Sequence, residues 1–225
     1  MLIVLEGLDG AGKSTQITLL QSYFETQGLN VKYLHFPRFD APVYGDLIAR
    51  FLRGDLGSIE NVHPMLVALL FAEDRHHAAA LLNLWLEKGY VVILDRYIYS
   101  NIAFQCAKTE DLSLSKELRD WIFDLEFKKY KIPVPNLNLF LDVPLNFVDS
   151  KLTAAREGQE REYLKGKQDI HEESISFQSR VRDIYLNECQ KEEGLLRVDC
   201  SDKDGNMLSP DSIFKKITSF ININK

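Results

Sequence analysis

The loop from Gly7 to Thr15 is the first stretch of the sequence that could carry chemistry. It follows the apolar run Leu2 to Leu5 and fits the pattern G-x-x-x-x-G-K-[ST]. Its glycines let the backbone turn sharply and approach a polyphosphate, so that successive N–H groups and the positive end of the following helix face the anion. A plain glycine turn between strand and helix is the alternative. The pattern predicts a polyphosphate site formed by Gly7, Gly10, Ala11, Gly12, Lys13, Ser14 and Thr15. In such a site the lysine reaches the β- and γ-phosphates, and the serine hydroxyl can bind Mg²⁺.

Asp95 is the second candidate, because it follows the apolar run Tyr90 to Leu94 directly. An acidic residue at the end of a buried strand is the usual second element of a phosphate-loop protein and can hold Mg²⁺ through water. The alternative is that Asp95 caps the helix that follows it.

Two arginines, Arg38 and Arg96, follow two different predicted strands. We expect both at one edge of the sheet, and two guanidinium groups are more than one nucleoside triphosphate needs there. Arginine presents planar, bidentate donors that match phosphate oxygens. The pair therefore predicts a second ligand that carries a phosphate. Surface salt bridges are the alternative.

Phe71 and Arg75 lie four residues apart in a helical stretch and so share one face. An aromatic ring that stacks on a base and a cation that donates to a base carbonyl would suit a pyrimidine. Each residue also has a plainer interpretation, Phe71 in the core and Arg75 in an ion pair with Glu73 or Asp74.

Residues 155–167 differ in composition from the rest of the chain. They contain Arg156 and Arg161 among several glutamates, with Gly158 and Gly166 as hinges, and have little to bury. A charged, unpacked, hinged segment in a phosphate-binding protein predicts a mobile lid. A solvated surface loop is the alternative.

The elements that must position these groups alternate between strands and helices. Short apolar runs predict strands at 2–5, 31–34, 90–94, 137–141 and 195–198, and helical stretches are predicted at 14–26, 44–52, 64–88, 115–130, 170–192 and 210–221, with a further stretch around residues 100–105. This alternation predicts an α/β fold, a parallel sheet with helices on both faces, whose ligands bind at the carboxyl ends of the strands.

Composition limits the possible classes of protein. The 225 residues are 45% hydrophobic with a formal net charge of −6, which predicts a single domain over residues 1–225 and disfavours a nucleic-acid surface. Three separated cysteines without a C-x-x-C pair predict reduced thiols in the cytoplasm. No basic region precedes Glu6, so we expect no signal peptide, and the longest apolar run, Met65 to Ala72, is too short to span a membrane. That run is apolar on every side and predicts burial in the core or against another subunit.

Taken together, these stretches resemble the thymidylate kinases, and the likeness covers almost the whole chain. No single motif is decisive, but they occur in the family's order: residues 7–15 with Asp9 inside the loop, Phe36-Pro37-Arg38, residues 70–75, Asp95-Arg96-Tyr97 with Ser100 to Phe104, and residues 169–172. The resemblance implies the P-loop nucleoside monophosphate kinase fold with a five-stranded parallel sheet. It also implies transfer of a phosphoryl group from ATP to dTMP, giving dTDP and ADP, with Mg²⁺ as cofactor, in a homodimer.

The resemblance also implies roles for single residues. On the acceptor side, Arg38 and Arg96 would bind the dTMP phosphate, Phe71 would stack on thymine and Arg75 would bond its carbonyl. The other residues implied around dTMP are Asp9, Phe36, Ser100, Asn101, Phe104 and His171. Those implied around the metal are Asp9, Ser14, Asp95 and Glu172. Members often carry Tyr-Glu where this chain has His171-Glu172, so the role of the glutamate transfers better than that of the histidine.

One departure from the family pattern concerns Gly10. Some members have an arginine directly after the loop aspartate, and this chain has none there. The resemblance then implies that the lid supplies the catalytic arginine, with Arg161 preferred and Arg156 placed on the adenine of ATP.

Two other functions remain open on the sequence. A deoxynucleoside kinase would act on an uncharged acceptor, which Arg38 together with Arg96 disfavours. A nucleotide-dependent switch of the small GTPase type would need an N-K-x-D motif, and the sequence has none.

Overall fold

Five short strands form one parallel sheet in the computed structural model, which describes residues 1–59, 61–153, 159–167, 169–171, 174–191 and 194–223. Across these residues the sheet order is β2-β3-β1-β4-β5. The strands are β1 (Leu2–Gly7), β2 (Val31–His35), β3 (Val91–Asp95), β4 (Leu137–Asp142) and β5 (Leu195–Asp199). The predicted sheet is confirmed, and most strands run one or two residues further toward their carboxyl ends than the apolar pattern indicates.

The central strands β1, β3 and β4 are buried along their whole length, whereas the edge strands β2 and β5 are partly exposed. Unbroken apolar runs are typical of parallel strands that are covered on both faces. The register pairs Leu5 with Asp95 and His35 with Asp95. The loops that follow β1, β2 and β3 therefore start side by side at one edge of the sheet.

Helices cover this sheet and connect its strands. They are α1 (Lys13–Thr26), α2 (Tyr44–Leu52), α3 (Pro64–Glu87), α4 (Ile98–Cys106), α5 (Leu112–Phe123), α6 (Leu145–Thr153), α7 (Ile175–Cys189) and α8 (Pro210–Ile223). Helices α1 and α8 pack against each other and the sheet, and α4 packs between α3 and α7. No helix within the described ranges is both long and apolar enough to cross a membrane.

Two predicted helices need correction, and one helix was missed. Helix α7 begins at Ile175 and not at Ile170, because the Ser174 side chain accepts a hydrogen bond from the Phe177 N–H and caps it there. The predicted helix 115–130 starts earlier, at Leu112, where Asp111 caps it, and continues as a π-helical turn, Asp124–Lys129. Helix α6 was not predicted.

The apolar side chains form two separate clusters. The larger one fills both sides of the sheet, whereas the smaller one, here the second cluster, consists of Ile48, Phe51, Leu52, Val67 and Ile170. The second cluster joins α2, α3 and the segment before α7, away from the sheet. Part of the cleft described below is therefore supported by a small core of its own.

Candidate active site

A cleft of about 930 Å³ opens at the carboxyl ends of the strands. Its walls come from the loop after β1, the ends of β2 and β3, helices α3 and α4, and the segment before α7. Most of the residues predicted from the sequence line it: Asp9, Gly10, Ala11, Gly12, Lys13, Ser14, Phe36, Phe71, Arg75, Asp95, Arg96, Ser100, Asn101, Phe104 and His171. The volume lies at the upper end of the range for small-molecule sites.

The loop after β1 adopts the conformation that its glycines permit. Gly10 and Gly12 both have φ near +75°, 74° and 79°, in the left-handed region that favours glycine. Lys13 begins α1, and its Nζ donates to the Leu8 carbonyl at 3.1 Å. Burial lowers the pKa of Lys13, and the nearby Arg96 charge lowers it further, while Asp95 and Asp9 oppose this. An anionic ligand would relieve the cost of this buried charge.

Asp95 lies beside that lysine at the end of β3. Its Oδ1 is 3.8 Å from the Lys13 Nζ, and this oxygen accepts no hydrogen bond from any described residue. Tyr97, not Asp95, is the N-cap of α4, and no side-chain hydrogen bond caps that helix. The capping alternative for Asp95 is therefore wrong.

A buried carboxylate oxygen that accepts no hydrogen bond, a hydroxyl and a second carboxylate suit a hard cation such as Mg²⁺. Asp95, Ser14 and Asp9 line the same cleft and could provide these groups. Among the described residues, no three His, Cys, Asp or Glu side chains come together as a metal cluster. Water and phosphate oxygens would therefore complete the coordination, which is how magnesium usually binds.

Arg96 enters the cleft from a strained backbone. Its φ of 68° is unusual for a residue with a side chain. The guanidinium pairs with Asp9 at 2.7 Å, donates to the Ser100 hydroxyl at 3.2 Å, and lies over the Phe104 ring at 5.1 Å from its centroid. Burial alone would lower the pKa of Arg96, but Asp9 and other nearby groups raise it above its ordinary value. Arg96 thus keeps its charge inside the cleft.

Glu6, which the sequence analysis missed, holds that strained turn in place. Its carboxylate is fully buried and accepts hydrogen bonds from the Tyr97 N–H at 2.9 Å, the Tyr185 hydroxyl at 3.1 Å and the Ser100 hydroxyl. Burial raises the pKa of Glu6, although the Ser100 hydrogen bond and the Arg96 charge oppose this shift. Ser100 bonds to both Glu6 and Arg96 and so connects the two.

Arg38 lies elsewhere than expected. Its Nε donates to Asp74 Oδ1 at 2.9 Å and its Nη2 to the Asp74 carbonyl at 2.8 Å, and its own N–H donates to Asp74 Oδ2 at 2.9 Å. Arg38 is not among the described residues that line the cleft. The structure therefore brings Arg96 to the site but holds Arg38 against α3, in an ion pair with a buried carboxylate and not in the surface salt bridge that was its alternative.

Arg75 forms a buried pair with a residue far away in the sequence. Its Nε and Nη2 donate to the two carboxylate oxygens of Glu126 at 2.5 and 2.7 Å, and the two side chains are 2% and 0% exposed. Arg75 was expected, in its plainer interpretation, to form an ion pair with Glu73 or Asp74, and that choice of partners is wrong. The pairing fixes the plane of a guanidinium that also lines the cleft.

Asn101 shares the same glutamate. Its Nδ2 donates to Glu126 Oε1 and to the Ala68 carbonyl, both at 3.0 Å. Both partners are acceptors, so they determine which end of the amide is nitrogen. Its Oδ1 is buried and has no hydrogen-bond partner within the described residues. Asn101 therefore offers the cleft an unsatisfied acceptor.

Aromatic side chains form the remaining wall. Phe71 is half-buried and packs against the second cluster, and it also lines the cleft. His171 is buried beside Phe104, with ring centroids 5.1 Å apart. Burial lowers the pKa of His171 well below its usual value, and the Lys108 charge lowers it further. The imidazole is therefore neutral at physiological pH.

The predicted lid is described only in part. Arg156 and Glu172 lie outside the described residues, and Arg161 falls in a 3-10 turn, Gln159–Leu164, whose backbone alone is described at that position. The described part is not unpacked, because Leu164 is buried and Tyr163 stacks on Phe39. The expectation that this segment buries little is wrong for Tyr163 and Leu164, whereas Glu162 and residues 165–167 are exposed as expected. Thr15, at the start of α1, is exposed and does not line the cleft.

The structure adds lining residues that sequence reasoning did not select. Gln105 is one helical turn after Asn101 on α4, and its Oε1 is buried without a hydrogen-bond partner among the described residues. Because Gln105 lies four residues after Asn101, helical spacing could have identified it as a cleft-lining residue from the sequence. Lys151 also lines the cleft, from a helix that was not predicted. Tyr163 lies in the predicted lid and Asp169 in the motif of residues 169–172, but neither residue had been given a role in the site.

Comparison with known proteins agrees with this geometry. A family model described as thymidylate kinase matches residues 5–208. The chain is 34% identical over 187 residues to a thymidylate kinase from Mycobacterium tuberculosis, covering 82% of this chain and 84% of the relative. It is 37% identical over 191 residues to a probable thymidylate kinase from Thermococcus kodakarensis, covering 83% and 82%.

A solved structure gives the same result at the level of the fold. The thymidylate kinase from Candida albicans superposes with a TM-score of 0.74 at 26% identity, covering 99% of this chain and 91% of that one. That enzyme is described as having broad substrate specificity. With a family match over most of its length and relatives above 30% identity, the chain belongs to the thymidylate kinase family of ATP-dependent phosphotransferases.

Proposed function

We propose that this cleft transfers the γ-phosphoryl group of ATP to dTMP, giving dTDP and ADP, with the donor on the loop after β1 and the acceptor phosphate on Arg96. The observation that carries the proposal is the arrangement of Lys13 and Arg96 in one cleft, each beside a carboxylate. Lys13 is 3.8 Å from Asp95, and Arg96 is 2.7 Å from Asp9. Donor and acceptor phosphates would meet between these two cations.

Phosphoryl transfer needs alignment and neutralisation of charge more than covalent chemistry from the protein. A phosphate monoester dianion is already nucleophilic, so no general base is needed. Lys13 holds the donor phosphates, and Arg96 follows the acceptor phosphate into the transition state. Ser14, Asp9 and Asp95 would hold Mg²⁺, together with Glu172 as the family resemblance implies, and a bound Mg²⁺ would neutralise further charge on the phosphate oxygens. Arg38 contributes only if its guanidinium leaves Asp74.

Recognition of the base rests on polar atoms at the other end of the cleft. Asn101 presents an acceptor, Oδ1, and thymine has a matching donor at N3–H, whereas the N3 of cytosine is an acceptor. Arg75, fixed by Glu126, presents donors that suit the thymine O4 carbonyl but not the cytosine amino group. Phe71 would stack on the ring, and the bulk of Phe104 would lie against the deoxyribose.

This arrangement predicts that dTMP is the preferred phosphate acceptor and that dCMP, dAMP and dGMP are poor acceptors. Because dCMP would face two mismatched polar groups in a buried site, its kcat/KM should be lower by roughly 10² to 10⁴. The margin over dUMP should be smaller, since one methyl group is worth about 1 to 3 kcal/mol. ADP release from ATP and Mg²⁺ across a panel of nucleoside monophosphates and deoxynucleosides measures these ratios.

Two asparagine variants make the test specific. Asn101→Ala should reduce the preference for dTMP over dCMP. Asn138→Ala should leave it unchanged, because Asn138 is also buried with an unpaired Oδ1 but does not line the cleft. Equal kcat/KM for dTMP and dCMP in the wild type would contradict the proposed base recognition. Phosphorylation of deoxynucleosides would favour the deoxynucleoside kinase alternative. If no acceptor in the panel were phosphorylated, the nucleotide-dependent switch would be favoured.

Arg96→Ala should lower kcat by roughly 10² or more and also raise the KM for dTMP, because the lost guanidinium contacts the phosphate before and during transfer. Arg96→Lys should recover only part of kcat, since a point charge lacks the fork geometry. Arg119→Ala is a matched control, because Arg119 also pairs with a carboxylate, that of Glu188, and also lies over an aromatic ring, but outside the cleft. Steady-state kinetics like those of the control would show that Arg96 is only an ion pair.

We propose that the lid supplies the arginine that Gly10 leaves missing, and that this residue is Arg161, with Arg156 on the adenine. Arginines supplied to phosphoryl transfer are worth roughly 10³ to 10⁵ in turnover. Arg161→Ala should therefore lower kcat by orders of magnitude, while dTMP binding without ATP, measured by calorimetry, stays near normal. If Arg156→Ala loses kcat and Arg161→Ala keeps it, the two roles are exchanged. If neither variant loses it, the lid role is wrong.

We also propose a homodimer formed through α3. Leu66 and Leu84 are 63% and 44% exposed and lie 18 residues apart, which is five full helical turns, so they share one side. Leu66→Lys with Leu84→Lys should give a monomer in sedimentation velocity. Leu112→Lys, at an 85% exposed leucine outside α3, should not. A monomeric wild type would contradict the proposal.

A cytoplasmic location is proposed on the three free cysteines.

A further inference from the structure

The described half of the lid lies against the C-terminal end of α2 and the loop that precedes it. The ring of Tyr163 stacks on that of Phe39, with centroids 3.8 Å apart and planes inclined by 9°. Both rings line the cleft. A parallel contact at this distance brings the lid turn onto the loop after β2, which forms the acceptor side.

Polar contacts reinforce this stack from outside the cleft. Arg53 Nη1 donates to the Tyr163 carbonyl at 2.6 Å, and Arg53 Nε donates to Asp55 Oδ2 at 2.9 Å. The other oxygen of Asp55 accepts from Lys167 Nζ at 2.6 Å. Here these four residues, Arg53, Asp55, Tyr163 and Lys167, are called the clasp. The Arg53 side chain is only 5% exposed, so its bonds are screened less by solvent than those of a surface pair.

The clasp continues into the wall of the acceptor site. The Tyr163 hydroxyl donates to Asp169 Oδ2, and the His171 N–H donates to Asp169 Oδ1, both at 2.8 Å. The Ile170 N–H donates to the Leu52 carbonyl at 2.9 Å, and its side chain belongs to the second cluster, against which Phe71 packs. One carboxylate thus bonds to both the lid tyrosine and the segment that carries His171.

We infer that Tyr163 is a positioning residue, which fixes the 3-10 turn Gln159–Leu164 relative to the acceptor end of the cleft. The inference rests on the proposed catalytic role of Arg161, which lies two residues earlier in the same turn. With the clasp formed, this turn, the loop bearing Phe39 and the segment bearing His171 move as one body. An arginine in that turn then keeps its distance from the acceptor phosphate while the donor side opens and closes.

Variants of the clasp separate its parts. Tyr163→Leu removes the ring stack and the bond to Asp169, whereas Tyr163→Phe removes only the bond. Arg53→Met removes the bonds to the Tyr163 carbonyl and to Asp55. Lys167→Met removes the exposed ion pair with Asp55. Lys165→Met is its control, because Lys165 is an exposed lysine of the same segment that forms no ion pair with any described residue.

Three measurements test the inference: kcat for phosphoryl transfer, the Kd for dTMP without ATP, and the rate at which a glutamate-specific protease cleaves the ligand-free protein after Glu162. Tyr163→Leu and Arg53→Met should lower kcat about 10- to 100-fold, since small misplacements of a catalytic group cost this much. The Kd should change by less than about threefold, and Arg53→Met should speed cleavage about fivefold or more, since local opening exposes the turn. The loss of kcat should be smaller for Tyr163→Phe and Lys167→Met, and Lys165→Met should lose no kcat.

The inference would be overturned if Arg53→Met and Tyr163→Leu had kcat values within about twofold of that of the Lys165→Met control. It would also be overturned if Arg53→Met were cleaved at the rate of the wild type. If Tyr163→Leu does not fold, Tyr163→Phe and Arg53→Met decide alone. A wild type that transfers no phosphoryl group would defeat the proposed function instead. The comparison of cleavage rates would still show whether the clasp holds the turn.

Discussion

The buried carboxylate of Glu6 is the interaction on which the site depends most. An ionised group removed from water costs several kcal/mol unless donors and opposite charge replace its hydration. Here the replacements are the Tyr97 N–H, the hydroxyls of Ser100 and Tyr185, and the nearby charge of Arg96. Each of these also has a place in the cleft or beside it. Satisfying Glu6 therefore fixes the left-handed turn at Arg96 and the first turn of α4, and joins α7 to the end of β1.

Positive and negative side chains lie next to each other in the cleft. Asp95 lies beside Lys13, and Asp9 lies beside Arg96, so that each buried cation has a carboxylate near it in the absence of ligand. This arrangement keeps two positive groups in one cavity without leaving either uncompensated. Phosphate oxygens that enter would take over the role of these carboxylates. The carboxylates would then be available to a metal ion or to the sugar, which explains why both signs of charge are needed in a site for anions.

The sequence predicted the sheet and the phosphate loop from local rules, namely apolar runs and glycine conformations. Several other cleft-lining residues, among them Phe36, Asn101 and Phe104, were implied only by the family resemblance. The sequence could not predict partners that meet only in the fold. Arg75 pairs with Glu126 across 51 positions, and Arg38 is held by Asp74 across 36. Glu6 followed the predicted strand 2–5 directly, and only the hydrogen bonds that it accepts in the fold show its importance. The lid was mispredicted as unpacked, because its composition is charged while its contacts are made by Tyr163 and Leu164.

The two hydrophobic clusters impose different constraints on the two ends of the cleft. The donor loop is attached to the main core through β1 and α1, whereas Phe71, Phe39 and Tyr163 pack on the second cluster, which includes Ile170. A cluster of five buried side chains is small, and its neighbours are only partly buried, so this part of the molecule should open at lower free energy than the sheet. Movement between the two ends then needs no hinge inside the lid. It needs only the second cluster and the clasp to stay intact while they shift as a unit against the main core. The position of the Phe71 ring and the placement of the lid would share one mobile body, whereas Asn101 and the donor loop would belong to the rigid one.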